Sequence, residues 1–335
     1  TDEGLSLGYN LWWREFDYSN YNVAQYSTNS GSAQVFMGLP LSESDSISLM
    51  FGVDTNEILA FPGSTPPPLV DYISAVGNRT FHSWRGQVGW GRDTRNDYFI
   101  PVAGSTQSLS AEIALPGSTV EYYKLSYDFA KYWPLSQALV LKTGVNLGYG
   151  DSYGKDFTRN LCYTAGTWVD TNDDDTLDTF VPGPDPSDPC LPTSPDFDKT
   201  VTATGLPFFE NFYAGGIASQ GKVRGFVDNT LGPAYTSTSG YRQPLGGSFL
   251  LAGSVEAIFP KLFDSPAARV SAFLDFGNVY NGWDNFSASD LRASAGVALL
   301  WRSPMGPLSI SYAMPLRKKA GDQIERLQFT FGGQL

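Results

Sequence analysis

The stretch ARVSAFLDFGNVY, residues 268–280, alternates apolar and polar side chains and so decides the fold of the chain. Its two faces consist of Val270, Ala272, Leu274 and Phe276 on one side and of Arg269, Ser271, Asp275 and Gly277 on the other. A period of two places successive side chains on opposite faces of a β-strand, whereas an amphipathic helix repeats about every 3.6 residues. The stretch therefore predicts a long strand with one apolar and one polar face.

The same alternation recurs along the chain, and almost no segment has helical spacing. Twelve strands are predicted, near residues 4–17, 31–42, 45–57, 81–95, 106–116, 120–134, 138–150, 246–259, 268–280, 290–302, 306–316 and 325–335. A water-soluble β-sandwich would also alternate, but its strands are typically about five or six residues long. Strands of ten or more residues favour a membrane β-barrel over the sandwich.

The composition agrees with a barrel that has an apolar outside and a polar inside. Aromatic residues make up 14% of the 335 residues, glycines number 35, and charged residues are only 17%. The longest apolar runs have a few residues, far below the ~18 of a membrane-spanning helix. A net charge of −12 argues against nucleic acid as a partner, because phosphate binding needs a basic surface.

The connections support the same architecture. Short turns such as PLSQ and SPMG alternate with long loops, including one through PGSTPPP, and residues 151–245 form one very long excursion. Short turns at one end and long loops at the other are typical of outer-membrane barrels, as are aromatic residues at strand ends. We predict an all-β, antiparallel transmembrane barrel formed by residues 1–335 as a single domain.

Several segments together carry a specific resemblance to a known family. FFENFYAGGIASQGKVRGF, FLDFGNVY, SAGVALLWRSPMGPLSISYAMPL and ERLQFTFGG resemble the barrel domain of the BamA family of outer-membrane protein insertases. The resemblance runs nearly end to end. It implies that residues 151–245 are an extracellular loop that folds back into the barrel lumen.

The resemblance also implies which residues form the functional site. The loop motif is Val223, Arg224, Gly225 and Phe226, and the facing strand motif is Phe273, Asp275 and Gly277. Independently, Asp275 and Glu256 fall on the polar faces of their strands, and a guanidinium matches a carboxylate with two parallel hydrogen bonds. A surface loop capped by Arg224 is the alternative, and the two carboxylates favour the docked loop.

The chain departs from the family pattern in three ways. Members of the family have sixteen strands preceded by periplasmic POTRA domains, whereas residue 1 aligns with about the fifth strand, as expected of a fragment. The family usually ends on an aromatic residue, and this chain ends on Leu335. The resemblance implies that the last strand is the functional seam, where substrate strands would pair with the edge of the barrel. Its seam residues are Phe329, Phe331, Gly332 and Gly333. Since the family's first strand is missing here, we expect the segment GLSLGYNLWW to meet the last strand and close a twelve-stranded barrel.

Two features of the long loop predict its chemistry. Cys162 and Cys190 are the only cysteines, and a cell-surface loop passes through an oxidising compartment, so a disulfide is expected between them. The acidic run DTNDDDTLD, residues 170–178, lacks the glycine and glutamate of a calcium loop at the sixth and twelfth positions. A solvated acidic loop is therefore favoured over a calcium site, and no metal or other cofactor is predicted.

An enzyme is the rival class of function. A barrel hydrolase needs a serine and a histidine, and the one histidine, His82, has no supporting acidic motif. The resemblance implies instead a non-enzymatic assembly factor of the bacterial outer membrane, which folds and inserts β-barrel proteins through a lateral seam. Its long loops are expected to be extracellular and its C-terminus periplasmic. Its expected partners are unfolded outer-membrane proteins, the lipid bilayer and, through the POTRA region, assembly-complex lipoproteins. A polypeptide-secretion pore of the same superfamily is the alternative.

Overall fold

The computed structural model describes residues 4–17, 23–61, 63–161, 167–169, 179–181, 199–237, 240–260, 267–304 and 306–331. The first part of the chain forms long antiparallel strands and one helix. These elements are β1 (Ser6–Asp17), β2 (Ser27–Pro40), β3 (Asp45–Leu59), α1 (Pro67–Val76), β4 (Thr80–Asp93), β5 (Gly104–Ala114), β6 (Tyr122–Pro134) and β7 (Val140–Ser152).

A long excursion separates β7 from the next strand of the main sheet. It carries short strands that pair with one another or with the turn before the last strand: β8 (Phe157–Leu161), β9 (Thr167–Val169), β10 (Thr179–Val181), β11 (Lys199–Ala203), β12 (Gly225–Phe226), β13 (Ala234–Thr236) and β14 (Arg242–Pro244). The rest of the chain comprises β15 (Phe249–Phe259), β16 (Ala268–Tyr280), β17 (Arg292–Ser303), β18 (Gly306–Arg317), β19 (Ile324–Glu325) and β20 (Leu327–Phe331).

Twelve of these strands form one antiparallel sheet whose order follows the chain. The order is β1-β2-β3-β4-β5-β6-β7-β15-β16-β17-β18-β20, and each of its members overlaps one of the twelve predicted segments. The prediction of twelve antiparallel strands is thus confirmed, although β20 has only five residues in the part of the chain that the structure describes. The longest connections lie at one end of the sheet and the short turns, such as residues 41–44 and 135–139, at the other.

The two faces of the sheet differ as the alternation predicts. On β16, Asp275 is fully buried while its neighbour Leu274 is 42% exposed. On β20, Gln328 is buried whereas Phe329 is 73% exposed. The buried side chains face the space enclosed by the curved sheet, which we call the lumen, and the exposed apolar ones form the outer surface.

The expected closure of the sheet is wrong for the part of the chain that the structure describes. β1 and β20 lie at opposite ends of the strand order, and no ladder joins them. The lumen is filled by side chains of the long excursion, among them the fully buried Phe212 and Phe226. Because the circumference of a barrel grows with its strand number, twelve strands wrapped around this filling do not bring β1 and β20 into pairing.

A helix replaces the loop predicted through PGSTPPP. Pro67 and Pro68 occupy the first turn of α1, where their missing N–H groups have no intrahelical partner to lose. Gly77 ends the helix in the left-handed region, with φ of 76°, and its N–H donates to the carbonyl of Ile73. The proline start and glycine stop are a sequence signal that period-two analysis overlooks. Among the residues described, no helix is both long enough and apolar enough to cross a membrane.

Some sequence predictions fall outside the described residues. These are the Cys162–Cys190 disulfide, the acidic run 170–178, and the seam residues Gly332 and Gly333.

Candidate functional site

The site is built on residues 205–237, which we call the Arg224 loop. Most of its buried apolar side chains pack on the lumenal face of the sheet in one cluster. The cluster joins Leu206, Phe212, Ala214, Val223, Phe226 and Leu231 of the loop to Ala114, Tyr122, Leu250, Ala252 and Val279 of the wall. Burial of this apolar surface stabilises the loop inside the lumen.

Hydrogen bonds within the loop fix its shape. The Asp228 carboxylate accepts from the N–H groups of Ile217 and Ala218 at 2.7 and 2.9 Å. Backbone bonds also join Gly216 to Val223 in both directions. These bonds fix the backbone around Arg224 independently of the contact between its side chain and the wall.

The Arg224 side chain binds the carboxylate of Asp275 with two nearly parallel hydrogen bonds. Its Nε lies 2.7 Å from Oδ2 and one terminal nitrogen lies 2.8 Å from Oδ1. The backbone N–H of Arg224 also donates to Oδ2, at 3.1 Å. Both residues are buried, and the Asp275 side chain has no exposed surface. Bidentate geometry and burial make this a strong, specific contact.

Glu256 lies farther from Arg224 than Asp275 does. Its Oε1 lies 3.7 Å from a terminal nitrogen of Arg224, and it accepts a short hydrogen bond from the Ser271 hydroxyl. Lys142 lies 4.0 Å from its other oxygen. Of the two carboxylates that the sequence indicates, Asp275 binds Arg224 directly and Glu256 balances charge around it.

The remaining motif residues make room for the loop or cover it. The guanidinium carbon of Arg224 lies 3.3 Å from the centre of the Phe273 ring, a cation–π contact. A Cβ on Gly277 would lie 2.9 Å from Val223, so a larger residue there would push the loop away. Gly225 has φ of 91°, a conformation that favours glycine. The Gly225 N–H and the Phe226 carbonyl both face β20.

The electrostatics of the loop follow from its burial. Burial alone would lower the pKa of Arg224, but the hydrogen bonds and charge of Asp275 and the charge of Glu256 raise it. Burial, together with the neighbouring charges of Lys142 and Arg224, lowers the pKa of Lys222 to about 8, and the charges of Glu256 and Asp275 oppose this change. Arg224 is thus a permanent cation in the site.

Sequence reasoning missed the contacts between the motif and the end of the chain. β12 pairs with β19, and Gln328 of β20 bonds the backbone of both Gly225 and Phe226. The available signal was the position of Gln328 on the polar face of the last predicted strand.

A second missed contact ties the loop to the other side of the lumen. Glu210 accepts a hydrogen bond of 2.8 Å from the ammonium group of Lys124 on β6. On the neighbouring strands, Arg85 pairs with Asp54 at 2.8 Å and with Glu112 at 3.4 Å. The loop is therefore attached to β6 on one side of the lumen and to β16 and β20 on the other.

Replacing Glu210 with glutamine is expected to lower the free energy of unfolding by about 1–3 kcal/mol, since the amide oxygen can still accept from Lys124 but no longer supplies the counter-charge to its ammonium group. The measurement is urea-induced unfolding followed by tryptophan fluorescence in detergent micelles. Glu43→Gln is the control, because Glu43 is exposed in the turn between β2 and β3. Equal stability of the two variants would contradict the second attachment.

A third missed group lies in the turn before β19. The Asp322 side chain is fully buried and accepts from Arg292 at 2.9 and 3.0 Å. Arg242 lies 3.5 Å away, and the Lys319 N–H donates at 2.6 Å. Burial acts to raise the pKa of Asp322, but the hydrogen bonds from Arg292 and Lys319 and the charges of Arg292 and Arg242 lower it overall.

The described residues hold no group of three or more histidine, cysteine, aspartate or glutamate side chains placed to bind a metal ion. His82 is exposed on β4, where its backbone N–H donates to the Thr119 hydroxyl.

Comparisons with known proteins identify the family to which the chain is similar. Residues 1–335 match the Omp85 superfamily domain. The outer membrane protein assembly factor BamA of Neisseria meningitidis serogroup B is 30% identical over 368 residues, which cover 99% of this chain and 40% of that protein. The chain thus spans well under half the length of this relative.

Two solved structures share the fold. The crystal structure of BamA from Haemophilus ducreyi lacking POTRA domains 1–3 has a TM-score of 0.75 and 26% sequence identity, covering 98% of this chain and 59% of that one. CdiB from Acinetobacter baumannii has a TM-score of 0.50 and 13% identity, covering 97% and 46%. The second likeness concerns the fold alone.

Proposed function

The chain belongs to the Omp85 superfamily, and we propose that it forms the barrel part of an outer-membrane protein assembly factor. In this role it folds other β-barrel proteins and inserts them into the outer membrane without covalent chemistry. The observation that carries the proposal is the similarity to the Neisseria assembly factor over 99% of the chain. The docked Arg224 loop and the incompletely paired last strand support it.

The proposed mechanism is strand addition at β20. The ladder between β18 and β20 runs only from Leu308–Phe331 to Tyr312–Leu327, and within the described ranges the other edge of β20 has no strand partner. Unpaired backbone groups in lipid each cost several kcal/mol, so an incoming strand that pairs with this edge is stabilised. The substrates are therefore unfolded outer-membrane proteins that present amphipathic strands.

We propose the same arrangement in the membrane as in the family. The exposed apolar outer face of the sheet contacts lipid, the end with long connections is extracellular, and the C-terminus is periplasmic. Assembly-complex lipoproteins would bind a POTRA region rather than the barrel.

The test is disulfide crosslinking in phosphatidylcholine vesicles that contain the chain, with Cys162 and Cys190 replaced by serine. Thr330→Cys on β20 is expected to crosslink to a cysteine in a strand of a urea-denatured eight-stranded barrel protein. Ser309→Cys is the matched control, because Ser309 pairs with Thr330 but lies on β18, which has strands on both sides.

The same vesicles should also accelerate folding of the substrate, measured by its heat-modifiable electrophoretic mobility. Equal crosslinking at the two positions, or folding no faster than in empty vesicles, would refute strand addition. Transfer of the substrate across the bilayer without insertion would instead favour the polypeptide-secretion pore.

A further inference from the structure

The four-residue loop motif is attached at two places that are not neighbours in the sheet. Arg224 binds Asp275 of β16, whereas the next two residues bind the end of the chain. In the strand order, β17 and β18 lie between β16 and β20. The loop therefore spans two strands and connects β16 to the edge strand directly through the lumen.

Gln328 makes the connection to the edge strand. Its side-chain oxygen accepts from the Gly225 N–H at 3.1 Å, and its amide nitrogen donates to the Phe226 carbonyl at 2.8 Å. The same nitrogen donates to Glu325 at 3.2 Å. Gln328 is only 3% exposed, so these bonds form away from bulk water. All hydrogen-bonding groups of its amide except one acceptor lone pair are thus used.

Backbone contacts reinforce this attachment. β12 and β19 pair antiparallel through Gly225–Glu325 and Phe226–Ile324. The Val227 N–H donates to the Gln323 carbonyl at 3.0 Å. The turn before β20 and β20 itself are consequently fastened to the same three loop residues.

Resting on the proposed function, we infer that Gln328 is a positioning residue that couples the Arg224 loop to the seam strand. β20 is held on the sheet side by its short ladder with β18 and on the lumenal side by the loop. Movement of β20 away from β18 carries Gln328 with it and breaks the bonds to Gly225 and Phe226. Conversely, loosening the loop at β16 removes a support from β20, so that the loop sets how readily the seam strand accepts a substrate strand.

Amide hydrogen exchange in detergent micelles tests this coupling without any substrate. Gln328→Leu removes both bonds to the loop and is expected to speed exchange of segments 222–228 and 327–331 by about tenfold. Thr330→Val is the matched control, because Thr330 is the next inward-facing residue of β20, and it should leave both segments unchanged. If Gln328→Leu does not fold, Gln328→Asn shortens the amide while keeping its polarity and should give the same pattern.

A change at the far end of the loop separates coupling from a local role. Phe273→Leu removes the cation–π contact at β16 and should speed exchange of segment 327–331 when Gln328 is present. In the Phe273→Leu, Gln328→Leu double variant, segment 327–331 should exchange no faster than in Gln328→Leu alone. Additive effects of the two changes, or unchanged exchange of 327–331 in Gln328→Leu, would overturn the inference. Because these measurements need no insertion, a failure of the proposed function would leave their outcome unaffected.

The functional consequence is measured separately. Gln328→Leu should change the rate of substrate folding in vesicles at least as much as it changes seam exchange, whereas Gln87→Leu, the same change on β4 and away from the seam in the strand order, should not. If exchange of the two segments is coupled but the substrate folds at an unchanged rate, Gln328 links the loop to the seam but has no role in insertion.

Discussion

Arg224→Ala is expected to lower the free energy of unfolding by about 3–5 kcal/mol, because it leaves the Asp275 carboxylate buried without a partner. The Asp275 side chain has no exposed surface, so water cannot replace the lost guanidinium without rearrangement of the loop. Urea-induced unfolding in micelles, followed by electrophoretic mobility without heating, measures the change. Adding Asp275→Asn to Arg224→Ala should recover part of the loss, since it removes the uncompensated charge.

Arg92→Ala is the control for the Arg224 experiment. Arg92 pairs with Asp45 at 3.8 Å, but its side chain is 47% exposed. Exposed ion pairs contribute about 1 kcal/mol or less. If Arg224→Ala were no more destabilising than Arg92→Ala, the loop would be held by its apolar cluster and not by the ion pair.

Asp322→Asn is expected to destabilise the protein by about 3 kcal/mol at neutral pH. The carboxylate is fully buried, and its loss leaves Arg292 and Arg242 close together without their shared counter-charge. Because Asp322 lies in the turn before β19, its replacement should also loosen the attachment of the seam strand. The measurement is urea-induced unfolding at pH 7, and Asp284→Asn, at an exposed position, should change stability by less than about 0.5 kcal/mol.

The effect of Asp322 should depend on pH in a defined direction. The pKa of Asp322 is lowered from its ordinary value of 3.8 in the folded protein. Its contribution to stability is therefore fully present above pH 3.8 and is lost as the pH falls through the lower, folded-state pKa. The stability difference between the wild-type protein and Asp322→Asn should shrink on acidification below pH 3.8. A difference that stays constant or grows there would show that the carboxylate charge is not what stabilises the turn.

Local sequence pattern determined the strands of this protein. The alternation in residues 268–280 indicates a strand whose two faces meet different surroundings. Such a pattern depends only on residues that are neighbours in the chain. The same reasoning placed Asp275 and Glu256 on the polar side, where both lie near Arg224. It failed for α1, whose proline-rich start resembles a loop and whose ten residues interrupt the strand periodicity.

Tertiary structure alone decided the other contacts between polar residues of the site. Glu210 and Lys124 are 86 residues apart, and Gln328 is 103 residues from Gly225, so no spacing in the chain predicts either contact. Each depends on the loop folding into a curved sheet that brings distant strands to the same lumen. The separation of β1 and β20 was decided there too, because closure depends on strand number and on the volume of the filled lumen, which no single strand encodes.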